Sequence, residues 1–117
     1  MAYDRRLCRL VVYLAHPLTG DWEANIADAR LWVRAGLDAG YAPVAPYLMT
    51  EGILHEPEDR EIGMELDLAT IAVCDQLWIC GPTISNGMGK EVEEAHRLGI
   101  RVREFDLTDG VLTEIGE

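Results

Sequence analysis

Two hydrophobic periods alternate along the chain. Residues 10–15 (LVVYLA) form a continuous apolar run, the mark of a strand buried on both faces. The run ends in the turn cluster His16-Pro17-Leu18-Thr19-Gly20. Ile26, Ala29, Val33 and Leu37 then recur at helical spacing, from an N-cap type residue at Asp21 to a stop at Gly40. Residues 41–45 (YAPVA) read as a short second strand, which Pro43 confines to an edge or an irregular position. Residues 46–58 show no period and leave room for one short helix. A second long helix is expected over 59–73, with Ile62, Leu66, Ala69 and Val73 as its apolar stripe. Residues 76–80 (QLWIC) form a third strand, 81–87 a loop, 88–98 a third helix stopped by Gly99, and 100–105 a fourth strand. In the tail, 106–117, Val111, Leu112 and Ile115 suit docking on the core or on a second subunit.

Four strand–helix alternations predict an α/β fold: three layers, with a mostly parallel sheet of four or five strands and helices on both faces, Rossmann- or flavodoxin-like. The 117 residues make one domain, with its core at about 8–105. Ligands of such sheets gather outside the carboxyl ends of the strands. Two loops lie there, 16–20 and 81–87, and the candidate chemistry is read from them.

Composition narrows the classes. A net charge of −11, with 10 Lys and Arg against 21 Asp and Glu, excludes polymeric nucleic acid, whose binding needs a basic footprint. A single nucleotide is still allowed, because a helix N-terminus can hold one phosphate. No apolar run reaches the roughly 18 residues of a membrane span. Residues 1–7 carry two arginines, but the apolar run behind them is too short for a secretory leader and reads as a core strand. Cys8, Cys74 and Cys80 are odd in number and sit among apolar residues, as buried free thiols of a cytoplasmic protein would.

The second loop is the richer: Gly81-Pro82-Thr83-Ile84-Ser85-Asn86-Gly87-Met88-Gly89-Lys90-Glu91. Gly87 and Gly89 allow a ligand close to the backbone, and the helix behind them aims its N–H groups at it. The spacing is neither a P-loop nor a dinucleotide fingerprint, and Thr83 breaks the serine-nucleophile elbow. Glu91 stands out. On a helical wheel it falls on the apolar stripe of Met88, Val92, Ala95 and Leu98, whereas Lys90 and Glu93 point elsewhere. A core-facing carboxylate is costly unless paired or functional. Glu91 is therefore either a first-turn cap or a nucleophile kept ionised by the helix N-terminus. Asp67, flanked by Gly63, Met64, Ile71 and Cys74, is either a second site carboxylate or a rim partner of Arg60. Asp75 reads as a turn residue. Tyr13 needs a partner for its buried hydroxyl, and His16 sits at a strand's carboxyl end. The acidic stretch 56–59 opens a helix rather than a metal site, and no metal or cofactor is expected.

Together these residues resemble the nucleoside 2-deoxyribosyltransferase-like superfamily, which includes deoxynucleoside monophosphate N-glycosidases, and within it a small phage and bacterial branch. The resemblance runs from Val11 to about Phe105. Its elements are Tyr13-Leu14-Ala15-His16-Pro17 at the end of the first strand, Asp67 before the third strand, and Ser85, Gly87, Gly89 and Glu91 as the nucleophile segment. It implies catalysis by Glu91, Asp67 and Tyr13, with Glu91 attacking the anomeric carbon of a (deoxy)ribosyl ring and Asp67 assisting departure of the base. It also implies a pocket of His16, Pro17, Thr19, Ser85, Asn86, Gly87, Met88 and Gly89 for a small-molecule nucleoside or nucleotide, and a homodimer or larger homo-oligomer. Two departures stand out: loop 16–20 lacks the arginine that holds a 5′-phosphate in the nucleotide hydrolases, and His16 replaces a small residue. The alternative from the same residues is a module that binds a nucleotide or ADP-ribose-like ligand without cleaving it.

Overall fold

The structure, a computed structural model, describes residues 8–116. The basic lead-in at 1–7 and the last residue of the tail lie outside the described residues. In chain order the elements are β1 (Val11–Ala15), α1 (Trp22–Asp38), β2 (Ala42–Val44), α2 (Pro46–Met49), α3 (Arg60–Ile71), β3 (Gln76–Cys80), α4 (Asn86–Arg97), β4 (Arg101–Thr108) and β5 (Val111–Ile115). They form one five-stranded sheet in the order β2-β1-β3-β4-β5. The first four strands are parallel and β5 is antiparallel to β4. The fold is the mostly parallel α/β architecture that the alternation of periods predicts.

Alternate residues of the central strands serve opposite layers. Tyr13, Ala15, Leu77 and Ile79 pack against Ile71 of α3 and against Met88 and Ala95 of α4. Val12, Leu14, Trp78 and Cys80 pack with Trp32 of α1 and with Phe105. Burial on both faces is why these strands read as unbroken apolar runs. Sequence periodicity misplaces two helix faces. In α1 the buried residues are Ile26, Ala29, Trp32, Ala35 and Gly36, while Leu37 is exposed. Gly36 lets α1 approach β2 closely, because a Cβ there would lie a tight 3.2 Å from Pro43 Cβ and Cγ. In α3 the expected stripe faces out, with Ile62 and Val73 exposed. The helix has two apolar sides, and fully buried Ile71 turns the Gly63–Asp67 side inward.

The tail is a strand rather than an appendage. β4 continues to Thr108, turns at Asp109 (φ 50°) and Gly110 (φ 78°), and returns as β5, pairing Leu107 with Leu112. Two left-handed residues in a two-residue loop match the twist of an antiparallel hairpin. Arg103 clasps β5 to the sheet. Its Nε and one terminal nitrogen donate to Glu114 at 3.0 and 2.8 Å, and its other nitrogen donates to Tyr41 Oη and Gln76 Oε1 at 3.1 Å. The guanidinium also lies 4.8 Å from the Phe105 ring centroid. Arg103→Ala is expected to cost about 1–2 kcal/mol, since it removes charge-assisted bonds at a half-buried point. Urea unfolding checks this, and an unchanged midpoint would show that β5 is held by its backbone ladder alone.

Candidate active site

The strand order reverses direction between β1 and β3, and the chain opens a crevice of about 1120 Å³ beside that switch. Its walls are the loop after β1, α2, the 50–59 loop, the inward side of α3 and the first turns of α4. The floor is carboxylate. Glu91, only 6% exposed, projects from α4 toward the sheet. Tyr13, fully buried in β1, donates its hydroxyl proton to Glu91 Oε2. Asp67 of α3 lies beside both groups, close enough to perturb them electrostatically, and lines the same crevice. Three elements far apart in sequence thus converge on one polar cluster beneath an otherwise apolar layer.

The electrostatics follow from burial. Removal from water raises the Glu91 carboxyl above the usual range; the Tyr13 hydroxyl opposes this, and the Asp67 charge adds to it. Asp67 is raised too, chiefly by burial, against the lowering effect of its bonds to Tyr13 and Glu91. Burial raises both carboxyls and couples them, so the pair retains a proton near neutrality. Burial, then the Glu91 charge, push the Tyr13 hydroxyl far above its ordinary value, so it stays a donor.

The rest of the sequence-derived set divides. His16, Thr19, Ser85, Asn86, Gly87 and Met88 border the crevice with Asp67 and Glu91. Pro17 borders a smaller pocket of about 220 Å³ instead, and Gly89 borders neither. The helix begins at Asn86, earlier than its apolar period suggests. Ser85 is its cap, with Oγ accepting from Met88 N at 3.2 Å. Glu91 therefore lies in the second turn, beyond capping range. Arg60 pairs with Glu56 at 2.7 Å, so it is not the partner of Asp67. Both His16 nitrogens are engaged, Nδ1 with Pro17 O and Nε2 with Asp28 Oδ2, each at 2.7 Å. Asp75 holds the strand turn, accepting from Val11 N at 2.8 Å.

The crevice also has walls that sequence patterns missed. Tyr47 of α2 is buried, donates to Leu14 O at 2.7 Å and borders the cavity with Leu54, Met64 and Leu68. Pro46 at the first position of α2 was the available signal. Lys90, expected to point away, lines the crevice. Even so, carboxyl side chains outnumber Lys and Arg eight to two along the lining. Among the described residues no three His, Cys, Asp or Glu side chains form a metal-holding group, and no helix is long and apolar enough to cross a membrane. Cys74 and Cys80 are buried thiols, whereas Cys8 is exposed, against the expectation for all three.

Residues 10–105 match the family described as Domain of unknown function (DUF7768). The chain belongs to that family. No curated protein matches it. Solved structures show the fold. A 2-deoxyribosyltransferase from Bacillus psychrosaccharolyticus superposes with a TM-score of 0.62 at 20% identity, over 88% of this chain and 77% of the transferase. A conserved protein from Enterococcus faecalis gives a TM-score of 0.62 at 24% identity, over 87% of this chain and 65% of its own. This DUF7768 chain therefore has the fold of a 2-deoxyribosyltransferase, with the Tyr13–Glu91–Asp67 cluster at the bottom of its crevice.

Proposed function

We propose that this protein cleaves or transfers at the N-glycosidic bond of an unphosphorylated nucleoside through a covalent glycosyl–enzyme. The carrying observation is the buried Glu91 carboxyl, hydrogen-bonded to Tyr13 and beside Asp67 at the floor of the crevice. Burying such a group without function costs stability. The fold shared with a 2-deoxyribosyltransferase supports the same reading.

In the first step Glu91 Oε attacks C1′ of the sugar, the C1′–N bond breaks, and the base leaves with its bonding pair. The proton held by the two carboxyls passes from Asp67 to the departing nitrogen. Tyr13 fixes the Glu91 oxygen and carries no net proton. In the second step a water or a second base attacks C1′ and gives its proton to Asp67. The C1′–O bond to Glu91 then breaks, and both carboxyls return to their starting state with retained configuration. A second copy of the chain completing the crevice is part of this reading.

The acidic lining sets the charge of the substrate. With eight carboxyl side chains against Arg60 and Lys90, and Arg60 already paired, a 5′-phosphate enters an unfavourable field. The test is chromatographic detection of free base from a panel of nucleosides and their 5′-monophosphates. The expected result is kcat/KM at least about 10-fold higher for nucleosides, a gap that shrinks as salt screens the lining. Monophosphates turning over faster would overturn the charge assignment. No base release from any member, with ligand-induced thermal stabilisation retained, would leave a binding module.

A further inference from the structure

Resting on that reading, we infer that Gly63 sets the size of the base and that the crevice is built for a two-ring, purine-type leaving group. Gly63 lies inside α3, four residues before Asp67, and so one turn along the same side of the helix. It borders the crevice with Asp67 and Met64. A base that receives its proton from Asp67 lies against this stretch of α3, so whatever stands at position 63 limits how far the base extends.

Nothing in the fold asks for glycine there. A helix-interior glycine costs about 1 kcal/mol relative to alanine. Its backbone is not in the left-handed region, and a Cβ would meet only Leu54 Cδ1 at 3.7 Å, an ordinary contact. Gly36 is the counterexample within the same molecule, where a Cβ would press on Pro43 at 3.2 Å. Packing explains Gly36 and leaves Gly63 unexplained. What a side chain at 63 adds is a group at the crevice wall beside the proton donor. A one-ring base reaches Asp67 without using that space; a fused second ring occupies it.

Gly63→Ala and Gly63→Leu in the full chain test this, with Ala69→Leu on the exposed outer side of α3 as control. Rates of base release and equilibrium binding are measured for purine and pyrimidine nucleosides, and melting temperature for every variant. The expected result is a Gly63→Ala protein that melts higher than wild type yet loses purine kcat/KM by about 10- to 200-fold, the range for one methylene in a tight pocket. Gly63→Leu loses more, pyrimidine nucleosides change little, and Ala69→Leu changes neither class. Equal losses for both classes in a folded Gly63→Leu protein, no loss, or a wild-type preference for pyrimidines would each overturn the role of Gly63 while leaving the glycosidic reading intact. A wild-type protein that neither binds nor cleaves any nucleoside overturns both.

Discussion

Glu91→Gln is expected to abolish turnover, by at least about 10⁴-fold, and to make the protein more stable. The two effects have one cause. Glutamine keeps the shape, its carbonyl accepts from Tyr13 as the carboxyl does, and its amide donates to Asp67 in place of the shared proton. What disappears is the buried ionisable group, and with it the nucleophile. In the folded chain burial holds the Glu91 carboxyl protonated above the ordinary glutamate range, whereas in the unfolded chain it ionises at its usual value. Over the interval between those values the folded state binds the extra proton, so folding stability falls as pH rises through it. Below the ordinary range both states are protonated and the group makes no difference. The gain from Glu91→Gln is therefore near zero at pH 4 and grows to about 1–3 kcal/mol at pH 8. Thermal melts of both proteins across that pH range read it directly. An unstable Glu91→Gln protein at pH 8 would mean that the carboxylate is a structural anchor and not a strained functional group.

The sequence shows the fold where physics is local and hides it where choice is tertiary. Strands buried on both faces leave unbroken apolar runs, so β1 and β3 are plain in LVVYLA and QLWIC. The hairpin of β4 and β5 was also written locally, as Asp109-Gly110 between apolar residues, a two-residue turn signal that the irregular tail concealed. The inward side of α3 was not legible. Its two sides are similarly apolar, and only the packing of Ile71 against the sheet decides between them. The same ambiguity drew attention to Asp67, because a carboxyl among Gly63, Met64 and Ile71 conflicts with a purely structural helix face. Glu91 was legible for the same reason, as a charge on a core stripe. Tyr47 and Leu54 were not, since a four-residue helix and an aperiodic loop carry no pattern that announces a wall.

Asp67→Asn is expected to separate substrates by their leaving group. A neutral base departs poorly as an anion and needs a proton at the moment the C1′–N bond breaks; losing such an acid costs about 10²- to 10⁴-fold. Asparagine fills the same space and donates a hydrogen bond, but it has no proton to give up. A nucleoside whose base is already cationic through ring N-alkylation leaves as a neutral molecule, and its cleavage should change little in the variant. The pH profile should change with it. In the wild type both carboxyls titrate above the ordinary range, so activity rises as the second proton is lost and falls as the last one leaves. With asparagine at 67 no acid remains to lose, and the charge by which Asp67 raised Glu91 is gone. The alkaline fall should vanish and the acid limb should move to lower pH. Rates for a neutral and an N-alkylated nucleoside, measured across pH 4 to 10 on both proteins, distinguish this role from a positional one. If both substrates slow equally and the alkaline fall persists, Asp67 orients Glu91 and the proton comes from elsewhere.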